Sequence, residues 1–269
     1  MKTHMLFASA ASLFALASVA GCASSSAGTG DEAASPDGTE VAASSAQSSR
    51  MEEMIVEPIG SQDPIQAAAS VAAAQWWPAG CASRQKDATN PAVVHIHLND
   101  CTGPFGLRHH TGDITVTFSK NANGSLHAQS ASSNMTVNGA VVTWSRDKDI
   151  TISGSTRTVT STGAWTRVNA KGDTVSHTSN MITVVDLGTK CRTSNGSAVT
   201  SVGSREIDSS IKDYKICRGA DGAEGCPSGT VIHSHKTSGR SETVTFDGTA
   251  TATIAGPKRS LSVSLVCGQ

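Results

Sequence analysis

Aromatic residues are scarce in this 269-residue chain, at 4% of the composition with a single tyrosine. So few rings leave little material for a surface that stacks on sugars. The formal charge is −1 at pH 7 and no run of lysine and arginine occurs, which excludes the basic stripe typical of nucleic-acid-binding proteins. Long helical patterns are also nearly absent, whereas threonine, serine, glycine and valine are frequent. Threonine and valine favour strands.

The motifs of common enzymes are missing as well. No Gly-x-Ser-x-Gly sequence marks a nucleophile elbow, and no Cys-x-x-Cys pair marks a zinc site. The aspartates mostly flank predicted strands, so their spacing identifies no catalytic pair of carboxylates. The segment Asp221–Gly225 resembles part of a calcium loop but lacks the full series of ligands. We therefore expect no enzyme activity, and no motif indicates a cofactor.

The one long apolar stretch lies at the N terminus and ends at Cys22. Its hydrophobic run, Met5–Ala20, is too short for a stable membrane span. The ending Val19-Ala20-Gly21-Cys22 resembles the lipobox of bacterial lipoproteins, which implies cleavage by signal peptidase II before a cysteine that carries diacylglycerol. An ordinary secretory signal cut near Ala23 is the alternative. We expect a signal peptide over 1–21 and an exported protein held at a membrane, most simply the outer membrane, by lipid on Cys22.

The cysteine count supports export. If Cys22 of the seven cysteines is lipidated, an even number remains. In an exported protein such a set predicts three disulfides, with the pairing left open because six cysteines allow many connectivities. The candidates are Cys81, Cys101, Cys191, Cys217, Cys226 and Cys267.

Composition divides the mature chain into a tether and a domain. Residues 22–62 are rich in alanine, serine and glycine, and we expect them to be disordered because they bury too little apolar surface. The domain follows over 63–269. It opens with a predicted helix that is capped by Asp63, has Pro64 in its first turn and continues from Gln66 to Trp77. Its apolar face is predicted to hold Ile65, Ala68, Ala69, Ala72 and Trp76.

From Pro91 onward the chain alternates as strands do, and about a dozen are predicted. Breaks between strands are predicted near Arg146–Lys148 and near Gly163, with separate strands near Asn134–Ser145, Asp149–Ser153, Arg157–Ser161 and Ala164–Val168. Asp247-Gly248 is a hairpin signal, and Asn138-Gly139 is either a second hairpin or a bulge within a strand. The short polar turns imply antiparallel neighbours. The fold class is therefore all-β, one large antiparallel sheet, extended or curled, with one short N-terminal helix. A half-barrel or a sandwich is the alternative. Three sets of residues are predicted to face the core: Val94, Ile96 and Leu98; Ile114, Val116 and Phe118; and Leu261, Val263, Leu265 and Cys267.

The mature part has a family resemblance. A strand ending in Cys101, the sequence Cys-Thr-Gly-x-x-Gly over 101–106, and a second strand opening with Gly-x-Ile-x-Val at Gly112 are similar to uncharacterised exported all-β lipoproteins of bacteria. The tail from Cys226 to Cys267 resembles their C-terminal end. The resemblance implies an extended antiparallel sheet on a lipid tether, and no activity or functional residue.

Two His-x-His pairs, His95 with His97 and His233 with His235, are the remaining candidates for chemistry. Alternation places both imidazoles of a pair on one side of a strand, which is how strands present two zinc ligands. A third ligand must come from elsewhere, and His109-His110 in the following loop could approach the first pair. Exposed or structural histidines are the simpler interpretation.

We expect a non-enzymatic structural or interaction module of the cell envelope, displayed on a flexible tether. Its partners would be the membrane, through the lipid on Cys22, and an unidentified envelope protein or surface ligand, but not nucleic acid. A carrier of hydrophobic ligands or lipids is the alternative, and it predicts an apolar cavity of ligand size. Metal binding through the His-x-His strands is a minor alternative.

Overall fold

The chain folds into one antiparallel sheet of thirteen strands with a short helix, which confirms the predicted fold class. A computed structural model describes residues 61–71, 80–102, 109–168, 172–219, 225–258, 260–265 and 267. The elements are α1 (Pro64–Ser70), β1 (Ala82–Lys86), β2 (Val93–Thr102), β3 (His109–Lys120), β4 (Leu126–Val137), β5 (Ala140–Ser153), β6 (Thr156–Val168), β7 (Thr174–Asp186), β8 (Cys191–Val202), β9 (Arg205–Cys217), β10 (Ser228–His235), β11 (Arg240–Asp247), β12 (Thr251–Ala255) and β13 (Ser260–Ser264).

Every strand pairs with the strands before and after it in sequence, so β1 and β13 form the two edges of an open sheet. The chain thus runs up and down without a crossover. Cys22, the predicted signal peptide and the predicted tether as far as residue 60 lie outside the described residues.

Alternation gives the sheet two distinct faces. Residues directly opposite each other on paired strands lie on the same face. The register of the strand pairs therefore identifies which residues of each strand belong to one face of the sheet. We call the face that bears Val94 and its partner Val116 the inward face, and the other the outward face. Both predicted sets on β2 and β3 lie on the inward face with 3% exposure or less, which confirms them: Val94, Ile96, Leu98, Ile114, Val116 and Phe118.

The apolar core lies on the inward face of the first half of the sheet. Ala67, Ala68 and Val71 of the helix region are buried there, and α1 packs on β2 and β3. Aromatic and aliphatic side chains of β5 and β6, such as Trp144 and Trp165, extend the same cluster. Apolar packing between the helix and the sheet therefore stabilises the N-terminal strands.

The helix begins as predicted. Asp63 accepts a hydrogen bond of 2.9 Å from the Gln66 amide, and Pro64 occupies the first turn. The helix ends at Ser70, and the predicted continuation to Trp77 falls on residues 72–79, outside the described part.

The predicted apolar face of the helix is only partly right. Ala68 is buried, but Ile65 is 48% exposed and Ala69 is exposed. The buried stripe is centred on Ala67, Ala68 and Val71 instead, because this is the side that meets β2 and β3.

Both hairpin signals are confirmed. Asn138 and Gly139 take positive φ values of 50° and 79° and connect β4 to β5 as a two-residue turn. Gly248, with φ 87°, opens the connection from β11 to β12, where Asp247 accepts from the Thr249 amide at 3.0 Å.

Two bulges are each paired with a glycine on the neighbouring strand. Asn134 in β4 has φ 51°, and a Cβ atom on Gly112 of β3 would lie 2.6 Å from the Met135 Cα atom. Asp213 in β9 has φ 50°, and Gly229 of β10 lies against it in the same way. The extra residue of each bulge fits only where the facing residue lacks a side chain.

The six cysteines form three disulfides, as predicted from export: Cys81–Cys101, Cys191–Cys217 and Cys226–Cys267. Cys101 is fully buried, while Cys191 and Cys217 face each other across β8 and β9 on the outward face. The expectation of a buried bond at Cys267 is wrong, because Cys226 and Cys267 are both half-buried. Leu261, on the same predicted face, is 45% exposed, since no helix in the described part of the chain covers the short edge strands β12 and β13.

Candidate functional site

The histidines of the first His-x-His pair lie on the outward face, opposite the buried residues of β2, as alternation predicts. His95 contacts Asp87 through Nε2 at 3.1 Å and Thr115 through Nδ1 at 3.2 Å. His97 contacts Asp113 through Nδ1 at 2.8 Å. Each ring therefore has its own carboxylate instead of sharing a ligand with its neighbour.

Two further outward histidines follow the same rule. His109 contacts Asp100 at 2.7 Å, and His127 contacts Asp149 at 2.8 Å. No group of three or more histidine, cysteine, aspartate and glutamate residues is arranged to hold a metal ion within the described ranges. The arrangement is a series of exposed imidazole–carboxylate pairs along β2 to β5.

The second His-x-His pair lies on the inward face. His233 is buried and its Nδ1 lies 2.8 Å from the Ser209 hydroxyl, directly across from it on β9. Burial lowers the pKa of His233 to about 4, with a smaller contribution from the charge of His235. Its imidazole is therefore neutral at neutral pH and completes a polar contact inside the fold.

His177 repeats this arrangement on β7. Its Nδ1 lies 2.9 Å from the Thr200 hydroxyl on β8, and its ring stacks on Trp165 with centroids 5.5 Å apart. Burial, and then the charge of Arg146, lower the pKa of His177 to about 4. Arg167 lies over the same indole, with Cζ 5.9 Å from the ring centroid.

Charge is divided between the two faces of the sheet. Acidic strand residues take outward positions: Asp113, Asp147, Asp149, Asp186, Glu206, Asp208 and Asp247. Basic residues take inward positions along most of the sheet: Arg84, Lys86, Lys120, Arg146, Lys148, Arg157, Arg167, Arg192, Arg205 and Arg240. With the bulge residues Asp100 and Asp213 set aside, Glu242 is the one acidic residue at an inward position in the described strands.

Three of these inward cations are as buried as core residues. Arg146, Lys148 and Arg157 are each 2% exposed or less. Burial lowers the pKa of Arg146 to about 10. Burial, and then the charge of Arg146, lower the pKa of Lys148 well below its usual range. We call these three residues the inward cation cluster.

Arg146 is held by its neighbours across the sheet. Its side chain crosses Gly163 on β6, and Nη2 donates a 2.7 Å hydrogen bond to the Ser179 hydroxyl on β7. The inward positions beyond it are small or hydroxylated, as at Ser161 and Ala198. From β5 onward the inward face thus combines apolar core residues with buried cations and hydroxyl groups.

The outward face of β7 and β8 carries a depression. It has a volume of about 310 Å³ and is lined by Asn180, Ile182, Asn195, Gly196 and Ser197. Ile182 is 49% exposed, and Val184 next to it on the same face is 39% exposed. A small apolar patch therefore lies in a surface otherwise dominated by hydroxyl and amide groups.

Sequence reasoning identified the outward and inward histidine pairs but not the inward cation cluster or His177. A signal for the cluster exists in β5. Arg146 and Lys148 share the parity of Trp144 and Ile150, whereas the intervening aspartates have the opposite parity. Strict alternation of basic and acidic residues within an apolar strand places one sign of charge on the buried face.

Comparison of the chain with family models, with curated proteins and with solved structures finds no match. No helix in the described part of the chain is long and apolar enough to cross a membrane.

Proposed function

We propose that this protein is a cell-envelope lipoprotein, a non-enzymatic structural or interaction module carried on a tether whose lipid anchor is Cys22. The observation that carries the proposal is the division of the cysteines. Six form three disulfides, which suit an oxidising compartment, and Cys22 is the one left over at the end of the apolar N-terminal run.

Expression of the full chain in a diderm bacterium tests the anchor. Cys22 should become the N-terminal residue of a membrane-associated protein, and mass spectrometry should find a diacylglyceryl group on it. Cys22→Ala should leave an uncut precursor that carries no lipid. Recovery of a soluble mature protein that starts elsewhere would reject the lipoprotein assignment in favour of an ordinary secretory signal.

The outward face of β7 and β8 is the surface we assign to partner contact. Ile182 and Val184 expose apolar area there, beside a depression that offers amide and hydroxyl groups. This mixture of a small apolar centre and a polar surround suits recognition of another envelope component.

A matched pair of substitutions tests this surface. Ile182→Asp with Val184→Asp should abolish capture of a partner from a solubilised envelope fraction by the mature protein. Val141→Asp alters a residue that is 69% exposed on another part of the sheet and should leave capture unchanged. Equal capture by all three proteins would exclude the β7–β8 face.

The carrier alternative has less support. It needs an enclosed apolar cavity of ligand size, whereas the depression on β7 and β8 opens outward to solvent. The inward face beyond β5 places buried cations and hydroxyl groups among its apolar residues, which suits an uncharged acyl chain poorly. A hydrolase activity that is lost on Ser209→Ala would overturn the non-enzymatic assignment, since Ser209 and His233 form the buried hydroxyl–imidazole pair nearest to a catalytic arrangement.

A further inference from the structure

The strand β13 forms one edge of the sheet, with β12 as its one neighbour among the described strands. The described residues that follow it turn back over the sheet. The Leu265 amide donates to the Ala250 carbonyl at 2.8 Å, and Cys267 is bonded to Cys226, just before β10. These contacts direct the chain towards β10 instead of across the outer side of β13.

The backbone groups of β13 alternate in direction. Leu265 and Ala250 form a hydrogen-bonded pair, and pairs of this kind recur at every second position of an antiparallel ladder. Leu261 therefore directs its amide and carbonyl groups towards β12. The residues of β13 that direct these groups to the open side are Ser260, Ser262 and Ser264. Their side chains lie on the outward face, because Leu261 lies opposite Ile254 on the inward face.

The two edges of the sheet differ in their defence against further pairing. Edge strands commonly carry a lysine, another charge or a proline that prevents the addition of a strand. The sequence of β13 is Ser-Leu-Ser-Val-Ser, without charge or proline, and Leu261 is 45% exposed. The other edge, β1, carries Arg84 and Lys86, and Arg84 donates to the Ala68 carbonyl at 2.7 Å. Pairing is therefore opposed at β1 and unopposed at β13.

The strand β13 is complementary to a second copy of itself. A two-fold axis at Ser262 places this residue opposite its own copy and places Ser260 opposite Ser264 of the second copy. All of these residues direct their backbone groups to the open side, so each pair can exchange both of its N–H···O hydrogen bonds. The same axis brings the apolar positions 261 and 263 opposite each other on the inward face.

The same operation at β1 would bring like charges together. The Asp87 amide donates to the Val93 carbonyl at 3.0 Å, so alternation makes Arg84 one of the residues that direct their backbone groups to the open side. A two-fold axis at Arg84 would place it opposite its own copy, and like charges in that position are destabilising. Self-pairing thus suits β13 alone of the two edges.

An antiparallel ladder between β13 and β1 of a second copy would mismatch the faces of the sheet. Arg84 lies on the inward face, whereas Ser262 lies on the outward face. Such a ladder would join the inward face of one copy to the outward face of the next and would continue without closing. Pairing of β13 with β13 joins like faces and closes after two copies.

We propose that a second copy of this chain binds to β13 as an antiparallel neighbour, with the two-fold axis at Ser262, so that two sheets become one continuous sheet. One short strand from each copy makes a small interface, which predicts a Kd between about 1 µM and 1 mM. The pairing uses neither Cys22 nor the outward face of β7 and β8, so it holds whether or not the chain is a lipoprotein.

Sedimentation equilibrium of the purified protein, with its disulfides intact and in a neutral detergent of matched density, tests this. The mean mass should rise from one copy towards two as the protein concentration increases. Ser262→Lys alters an exposed residue, places two like charges opposite each other and should raise the Kd at least about fivefold. An equimolar mixture with Ser262→Asp should pair again, because the substituted side chains then carry opposite charges.

Thr253→Lys is the matched control. Thr253 is exposed on β12, directly opposite Ser262, so the same charge is added to the same face one strand away from the axis. In the pair of copies the two added charges would lie three strand spacings apart, roughly 14 Å, and would be largely screened at physiological ionic strength. The Kd should stay within about twofold of the parent value.

Four results would overturn the proposal. The first is a protein that stays monomeric up to about 1 mM. The second is an association that Ser262→Lys weakens no more than Thr253→Lys does, which would place the contact elsewhere. The third is failure of the Ser262→Lys and Ser262→Asp proteins to pair with each other. The fourth is a mass that grows beyond two copies, which would indicate open head-to-tail assembly.

Discussion

The guanidinium of Arg146 occupies the space that a side chain on Gly163 would need. A Cβ atom on Gly163 would lie 2.9 Å from Arg146 Cζ. The glycine on β6 thus allows the arginine of β5 to cross one strand and bond Ser179 on the next. A small residue and a long one on paired strands together build this part of the inward face.

Substitution of that glycine should therefore be costly. Gly163→Ala should lower the free energy of unfolding by about 1–3 kcal/mol, because a buried guanidinium must move out of its site. Urea denaturation of the oxidised protein measures the change. Gly188→Ala is the control, since the added atom meets only the Asp186 carboxylate at 3.2 Å, and it should stay within about 0.5 kcal/mol. Equal effects of the two substitutions would show that Arg146 is not held over Gly163.

The two buried imidazoles should make stability fall in mild acid. His177 and His233 have pKa values near 4 in the folded protein and near 6.5 when unfolded. Between pH 4 and pH 6.5 the unfolded chain binds more protons than the folded protein. The contribution of the two imidazoles to stability is therefore fully present above about pH 6.5. It is lost as the pH falls towards 4, by at most about 3 kcal/mol per imidazole.

Denaturation at pH 7.5 and at pH 4.5 measures this loss. His177→Gln should reduce by about half the loss of unfolding free energy that the two buried imidazoles cause between pH 7.5 and pH 4.5, because one of the two groups is removed. His95→Gln, on the exposed outward face, should leave the contribution of the two buried groups in place. A pH dependence that is unchanged by His177→Gln would show that the fold does not lower the pKa of His177.

The bulge glycines should tolerate no side chain. Gly112→Ala places a Cβ atom against the backbone of Asn134 and Met135 at a φ of 125°, and we expect a loss of about 2–4 kcal/mol. Thermal unfolding of the oxidised protein provides the comparison. Gly139→Asn is the control: a Cβ atom on this turn residue would have nothing within 4 Å, and asparagine accepts positive φ. A stable Gly112→Ala variant would mean that β3 and β4 pair without the bulge.

Removal of the last disulfide should loosen one end of the sheet. Cys226 and Cys267 are 41 residues apart, and the chain-entropy model assigns about 4 kcal/mol to a loop of that length. In Cys226→Ser with Cys267→Ser, amides of β12 and β13 should exchange faster while those of β2 to β6 keep their protection. Uniform acceleration over the whole sheet would show instead that the sheet unfolds as one unit.

The fold class and many element positions could be predicted from the sequence because local chemistry decides them. Alternation placed Val94, Ile96 and Leu98 on the buried face, and the two Asx-Gly turns fixed the positions of two hairpins. The even cysteine set predicted disulfides but not their pairing, since pairing depends on which strands become neighbours.

The lengths of the central strands were harder to predict. Predicted breaks near Arg146–Lys148 and near Gly163 do not occur, and β5 and β6 run through them. A polar residue or a glycine at an inward position interrupts the apolar alternation of the sequence. It therefore predicts the end of a strand when its cross-strand neighbours are unknown. Here the arginine fills the space over the glycine, so each residue explains the other only once the register is known.

The order of the strands has a kinetic consequence. Because every strand pairs only with its neighbours in sequence, each pairing closes a short loop and the entropy cost of each closure is small. Contacts of low sequence separation favour fast folding. The sheet can therefore grow one strand at a time from an early hairpin, and each disulfide can form as soon as the strands it joins have been added.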